Sequence, residues 1–197
     1  MNKKKIAILG AALFQEPAIS KAQELGLETH VFAWAAGDRG EKMADYFYPI
    51  SIREKDEILE KCREIGIDGI ISIASDLAME TVNYVAEKMG LPGNSIEATK
   101  ISTNKHWMRK AFEENGDPSP RSMLVDSGTD FNSIDMKFPL IVKPTDRSGS
   151  RGVNKVSDES GLEIPEAIKD LSSKPVLHTD VIDKEQMENK VRSILLG

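Results

Sequence analysis

Apolar positions in the N-terminal half of the chain repeat with two alternating periods, one that suits strands and one that suits helices. Ile6 to Leu9 is a short apolar run after Lys3, Lys4 and Lys5, and it predicts a first strand. Pro17 to Leu25 has helical spacing, with the proline at an early position where its missing N–H does little harm. Glu28 to Trp34 predicts a second strand, Phe47 to Ile52 a third, Asp56 to Ile65 a helix and Gly69 to Ile73 another strand. Asp76 to Met89 then predicts a helix with Leu77, Thr81, Val82, Val85 and Met89 on one stripe and Gly90 as its left-handed cap. Strands and helices in this succession build a parallel sheet with helices on both faces.

The turn-rich Leu91 to Ser95 is the expected edge of that domain, which we set at residues 1–93. Residues 94–197 read as a second, smaller α+β unit. Within it, Asn104 to Asn115 predicts a helix with Trp107, Met108, Ala111 and Phe112 as its apolar stripe, closed by Gly116, Pro118 and Pro120. Arg121 to Val125 and Phe138 to Lys143 read as strands, and Val153 to Val156 as the strand returning across a Ser/Gly/Arg loop, so the last two form a hairpin. A helix around Ile164 to Leu171, a strand around Val176 to Val181 and a helix from Lys184 to Leu195 complete the expected order.

Composition narrows the function classes. With 197 residues, 40% hydrophobic and 29% charged, the chain has enough material for one large or two small cores. A net charge of -6 disfavours a general nucleic-acid binder, although a few clustered lysines can still hold a polyphosphate locally. The N-terminal apolar run is too short for a signal peptide, and no run reaches the length of a membrane helix, so a cytoplasmic protein is expected. Cys62 falls on the apolar face with Ile58, Leu59 and Ile65 and reads as a buried thiol. His30, His106 and His178 lack metal-ligand spacing, and Trp34 and Trp107 read as core residues.

Phosphate chemistry has one strong candidate. No Walker loop is present, and the segment after the first strand, Gly10-Ala11-Ala12-Leu13-Phe14, lacks the dinucleotide glycine fingerprint, which argues against a Rossmann NAD or sugar-nucleotide enzyme. FPLIVKPTDRSGSRGVNKV stands out instead. A buried strand ends in Lys143, and the small residues Ser148, Gly149, Ser150 and Gly152 allow backbone N–H groups to approach phosphate oxygens. Arg147 and Arg151 flank the same loop and could reach phosphate or simply be solvated; the loop alone could equally be an ordinary hairpin connection. Asp76 sits at the carboxyl end of a strand, where open α/β sheets bind ligands, but a helix N-cap is the favoured reading.

TNKHWMRKAFEENGDPSPRSMLV followed by FPLIVKPTDRSGSRGVNKV resembles the paired motifs of the ATP-grasp superfamily, especially its carbamoyl-phosphate-synthase-like and biotin-carboxylase-like members. The resemblance covers residues 1 to about 157. It implies that Lys105 and Lys143 each contact ATP, and that Ser148, Gly149, Ser150, Arg151 and Gly152 close over the phosphates. It also makes residues 1–93 a Rossmann-like pre-ATP-grasp domain that helps to bind a carboxylate or amino-acid substrate. The implied reaction is ATP-dependent ligation of a carboxylate to an amine or similar nucleophile through an acyl phosphate.

The family's second lobe normally follows a hinge and carries the magnesium ligands. Here the sequence after Val156 shows no acidic hinge strand and no spaced pair of metal-ligand strands, and Glu188 and Asn189 read as surface positions of a helix. Magnesium is therefore expected for the family, without ligands found in this sequence. The expectation is an ATP-binding portion that is inactive alone and works with a partner chain carrying the distal lobe, or as a homo-oligomer. The alternatives are a non-catalytic nucleotide-binding or assembly module, or a subunit of a split ligase.

Overall fold

A computed structural model describes residues 3–125, 129 and 135–158, together with the backbone of 175–179. They fall into two compact units, Met1–Lys100 and Ile101–Gly197. The protein is mixed α/β, with one parallel and one antiparallel sheet.

The first unit contains strands β1 (Lys5–Leu9), β2 (Glu28–Phe32), β3 (Tyr46–Tyr48) and β4 (Gly69–Ile71), all parallel and ordered β3-β2-β1-β4. Helices α1 (Glu16–Glu24), α2 (Arg39–Met43), α3 (Lys55–Ile65) and α4 (Asp76–Met89) are interleaved with and follow them, and α5 (Ile96–Thr103) begins in this unit and ends just past its last residue, Lys100. The strand period of two sorts the core. Ala7, Leu9, Phe32 and Ile70 face one way and pack with Ile58, Leu59 and Cys62 of α3 and Ala78, Val82, Val85 and Ala86 of α4. Ile8 and Val31 face the other way and pack with Ala18, Ile19 and Ala22 of α1. Neighbouring strands are in step, with Ile8 opposite Val31 and Leu9 opposite Phe32, so both faces are apolar and both are covered, as a parallel sheet requires.

Helix ends follow the expected chemistry with one correction. Gly66 (φ 70°) and Gly90 (φ 67°) close α3 and α4 in the left-handed region. The N-cap of α4 is Ser75, whose Oγ accepts from the Ala78 N–H at 3.3 Å. Asp76 is therefore the first helical residue and not the cap. Two other expectations also fail. Leu77 is 45% exposed and off the buried stripe, and Trp34 is 75% exposed, because it lies just beyond the end of β2 where no neighbouring strand covers it. The short helices α2 and α5 had no clear apolar period and were not expected.

The second unit contains helix α6 (Lys105–Glu114) and strands β5 (Ser122–Leu124), β6 (Leu140–Pro144), β7 (Asn154–Val156) and β8 (Pro175–Thr179), ordered β5-β8-β6-β7 and antiparallel. The expected hairpin is β6–β7, with Leu140 opposite Val156 and Val142 opposite Asn154. Leu140 and Val142 point into a small core with Val125, Met136 and Val156. Alternation then turns Lys143 to the other face. Trp107 is half-buried. The helices expected around 164–171 and 184–195, with Glu188 and Asn189, lie outside the described residues.

Candidate functional site

The sequence-predicted phosphate residues meet where α6, the end of β6 and the β6–β7 loop converge. Asn104 caps α6, its Oδ1 accepting from the N–H groups of His106 at 3.0 Å and Trp107 at 3.3 Å. The Lys105 N–H donates to the Thr145 carbonyl at 2.9 Å, which ties the start of α6 to the residue after β6. The Lys105 Nζ then reaches forward and donates to the Arg147 carbonyl within the loop. Lys105, Lys143 and the loop are thus brought together.

The start of α6 breaks a rule that the other helices keep. Each of α1 to α5 has an acidic residue in its first turn, which the helix dipole favours. Helix α6 has none, and a lysine occupies its first position. A cation at a helix N-terminus is unfavourable by about 0.3–1 kcal/mol. Local conflicts of this kind concentrate at functional sites.

Electrostatics point the same way. Burial lowers the proton affinity of Lys143, and the nearby positive charges of Arg109 and Lys105 lower it further. Arg109 is itself pushed down by burial. Its Nη1 donates to Ser119 Oγ at 2.9 Å, and its guanidinium lies 5.7 Å from the centre of the Phe112 ring. Among the described residues neither Lys143 nor Arg109 is ion-paired with a carboxylate. Positive charge is therefore concentrated around Lys143. The motif reading assigned Lys105, Lys143 and Arg151 among the cations, and not Arg109. Arg109 stands one turn after Lys105, and that i, i+4 spacing was the available signal.

The loop has the conformation its small residues permit. Gly149 (φ 65°) and Ser150 (φ 57°) are consecutive left-handed residues, and Gly152 (φ 75°) is a third. For Ser150 that region is unfavourable by roughly 1–2 kcal/mol. The Arg151 Nε donates to the Ser148 carbonyl at 3.2 Å, so this side chain folds along its own loop, while Arg147 is exposed.

Asp76 belongs to the other unit. It is exposed at the carboxyl end of β4, where Gln15 Nε2 donates to the Ile73 carbonyl at 2.7 Å and Ser72 Oγ to the Leu9 carbonyl at 2.7 Å, joining the loops after β1 and β4. No group of three or more His, Cys, Asp or Glu side chains that could hold a metal is found among the described residues. The described residues do not fit a magnesium site. Nor is any helix among them long and apolar enough to cross a membrane.

This mixed α/β architecture, with its four-stranded parallel sheet, is that of ATP-grasp enzymes of known structure. Comparison with known proteins agrees: the chain is related to the ATP-grasp superfamily. It is 27% identical over 139 residues to the alanine--anticapsin ligase of Bacillus subtilis (strain 168), covering 64% of this chain and 29% of that one. It is 24% identical over 181 residues to the carbamoyl phosphate synthase large chain of Methanothrix thermoacetophila, covering 84% and 17% respectively. The crystal structure of an L-amino acid ligase from Bacillus licheniformis superimposes with a TM-score of 0.71 at 24% identity, over 90% of this chain and 44% of that one, a likeness of fold. No family model matches. The chain spans less than a third of the length of these curated relatives and under half of the solved structure.

Proposed function

We propose that this chain is the ATP-binding portion of an ATP-grasp ligase that joins a carboxylate to an amine or similar nucleophile. The observation that carries the reading is the convergence of Lys105, Lys143 and the 148–152 loop in one place. In this reading residues 1–93 are the pre-ATP-grasp domain, with Asp76 at its acceptor edge, and residues 94–197 are the partial ATP-grasp domain. The setting is cytoplasmic.

Lys105 and Lys143 hold the phosphates, and the N–H groups of Ser148, Gly149, Ser150, Arg151 and Gly152 close over them. Positioning and charge stabilisation carry most phosphoryl-transfer catalysis. A carboxylate oxygen of the substrate attacks the terminal phosphorus and ADP leaves; the amine then attacks the acyl carbon and inorganic phosphate leaves. The 197 residues by themselves bind nucleotide without ligating, and a distal lobe, on the same polypeptide or on a partner, completes the site.

The test is calorimetric titration of the 197-residue chain with ATP, beside Lys105→Ala and Lys143→Ala. Each variant should weaken binding by roughly 1.5–3 kcal/mol, the size of a charge-assisted hydrogen bond. Unchanged affinity in both defeats the assignment. ADP release is then followed with a panel of carboxylates and amines, with and without a distal-lobe polypeptide. Binding without turnover in either case assigns the chain instead to a nucleotide-binding module.

A further inference from the structure

We infer that the crevice outside the carboxyl ends of β1 and β4 takes an apolar molecule that bears an amine and no phosphate, and that the Gln15 side-chain carbonyl accepts a hydrogen bond from that amine. The inference rests on the acceptor-edge reading of the first unit and adds to it a residue and a chemical class for the amine.

Topology places the crevice. In the order β3-β2-β1-β4 the chain leaves β1 to one side and returns to its other side at β4, so these two strands flank the point where the order reverses. Open parallel sheets bind ligands outside the carboxyl ends of their strands at such a point. The loop after β1 is held in place there: the Gly10 N–H donates to the Phe32 carbonyl at 2.8 Å, the Gln15 N–H to the Ala12 carbonyl at 2.8 Å, and the Gly40 N–H to the Ala11 carbonyl at 3.1 Å. Gln15 spans the crevice, its Nε2 donating to the Ile73 carbonyl at 2.7 Å.

That bond settles which end of the amide is which, because only the nitrogen can donate to a carbonyl. The Oε1 is left beside Gly10, where an added Cβ would stand 3.2 Å from it; Gly10 has none and so leaves room for the amide. Gln15 is only 5% exposed, and among the described residues its one side-chain hydrogen bond is the one made by Nε2. A buried carbonyl without a donor costs about 1–3 kcal/mol, and a ligand N–H removes that cost.

The surroundings set the chemical class. Leu13 and Phe14 after β1, Trp34 after β2, Ile71 at the end of β4, and Ile73 and Leu77 beyond it are all exposed on this edge. A few polar groups among apolar side chains are the usual make-up of a small-molecule site. The loops 10–15, 33–38 and 72–76 hold Asp38 and Asp76 and no lysine or arginine. Arg39, the next cation along the chain, is ion-paired with Glu16 at 3.6 Å. A phosphate on this edge therefore meets no lysine or arginine in the loops to offset its desolvation. An ammonium meets the acidic balance of the loops, the Gln15 acceptor and an exposed tryptophan of the kind that attracts cations.

The experiment titrates the 197-residue chain with 2-phenylethylamine, 3-phenylpropionate and O-phosphoethanolamine, following the Gln15 side-chain amide and the Trp34 indole N–H by NMR. The amine should shift both signals, and the carboxylate and the phosphate ester should shift them far less at equal concentration. Gln15→Met, which keeps the shape and removes the acceptor, should weaken the amine by about tenfold or more. Leu13→Lys, at an exposed position, should weaken it by about threefold or more through like charge and lost apolar contact. A glutamine that merely ties two loops together would lower the unfolding midpoint in Gln15→Met and leave the affinity unchanged. No shift with the amine, equal shifts with the phosphate ester or the carboxylate, or wild-type amine affinity in both variants overturns the inference and leaves the ATP test of Lys105 and Lys143 as it was. Unchanged ATP affinity in both lysine variants, with the amine still bound at Gln15, defeats the nucleotide reading and leaves this site standing. If Gln15→Met does not fold, Leu13→Lys decides: unchanged amine affinity there overturns the inference.

Discussion

Replacing Gly40 with alanine tests the packing of the first unit where helix propensity and tertiary geometry predict opposite signs. Gly40 lies in α2, and in a helix Gly→Ala ordinarily stabilises by roughly 0.5–1 kcal/mol. Here a Cβ on Gly40 would stand 2.4 Å from the Ala11 carbonyl oxygen, 2.9 Å from its carbon and 3.0 Å from the Ala11 Cα. The obstacle is backbone, so no side-chain rotation relieves it. The Gly40 N–H also donates to that same Ala11 carbonyl at 3.1 Å, and moving α2 away weakens the bond. Overpacking of this kind costs about 1–3 kcal/mol, which outweighs the propensity gain. The internal control is Gly69→Ala. Gly69 is in β4 of the same unit, and a Cβ there meets nothing within 4 Å. That change should be neutral or stabilising by up to about 1 kcal/mol through the unfolded chain. Both variants are measured by urea and thermal unfolding, on the transition that belongs to residues 1–100. Gly40→Ala should lower its midpoint by several degrees, while Gly69→Ala should not. A Gly40→Ala variant as stable as Gly69→Ala would refute the close approach of α2 to the loop after β1.

Two further outcomes follow from titratable groups in the same unit. Cys62 is fully buried, and burial pushes its thiol up to about 12; it should resist a thiol reagent at pH 8 in the native state and react at once in denaturant. Rapid labelling of the native chain would place Cys62 outside the core. The Asp45 carboxyl is held below its ordinary value of 3.8, chiefly by the Thr29 N–H donating to it at 2.8 Å, with the Thr29 hydroxyl adding a second bond at 2.9 Å. A lowered folded value means a contribution that is complete above the unfolded value and lost as pH falls through the folded one. The stability difference between wild type and Asp45→Asn should therefore be largest near neutral pH and shrink below about pH 4. A difference that is constant with pH would contradict this.

What the sequence made legible is what one period or one motif encodes. Strands β1 and β2 and helices α3 and α4 carry apolar residues at regular spacing, so most of their burial, Leu77 excepted, follows from that spacing. The β6–β7 hairpin was legible because Leu140 and Val142 alternate with Lys143 and a run of small residues follows. Failures came where tertiary surroundings decide. Trp34 is apolar and next to a strand, but it lies just past the strand's end and is exposed. Asp76 and Ser75 are both good caps, and the choice between adjacent candidates depends on where the backbone turns from extended (Ser75, φ -138°) to helical. Helix α2 has a capping box, Asp38 with Glu41, which was present in the sequence and passed over because the helix is only five residues long.

The cationic site shows how a motif can be legible while its electrostatics are not. Lys105 and Lys143 were found because each sits in a recognisable run, and the loop because its residues are small. Arg109 was in the same run, yet an arginine in the middle of a helix is usually a solvated residue. Its role depends on a serine ten residues further on and on a lysine in another element. Sequence order holds neither relation, since both arise only in the folded second unit. The fold thereby adds a charge to the site that the motif does not count.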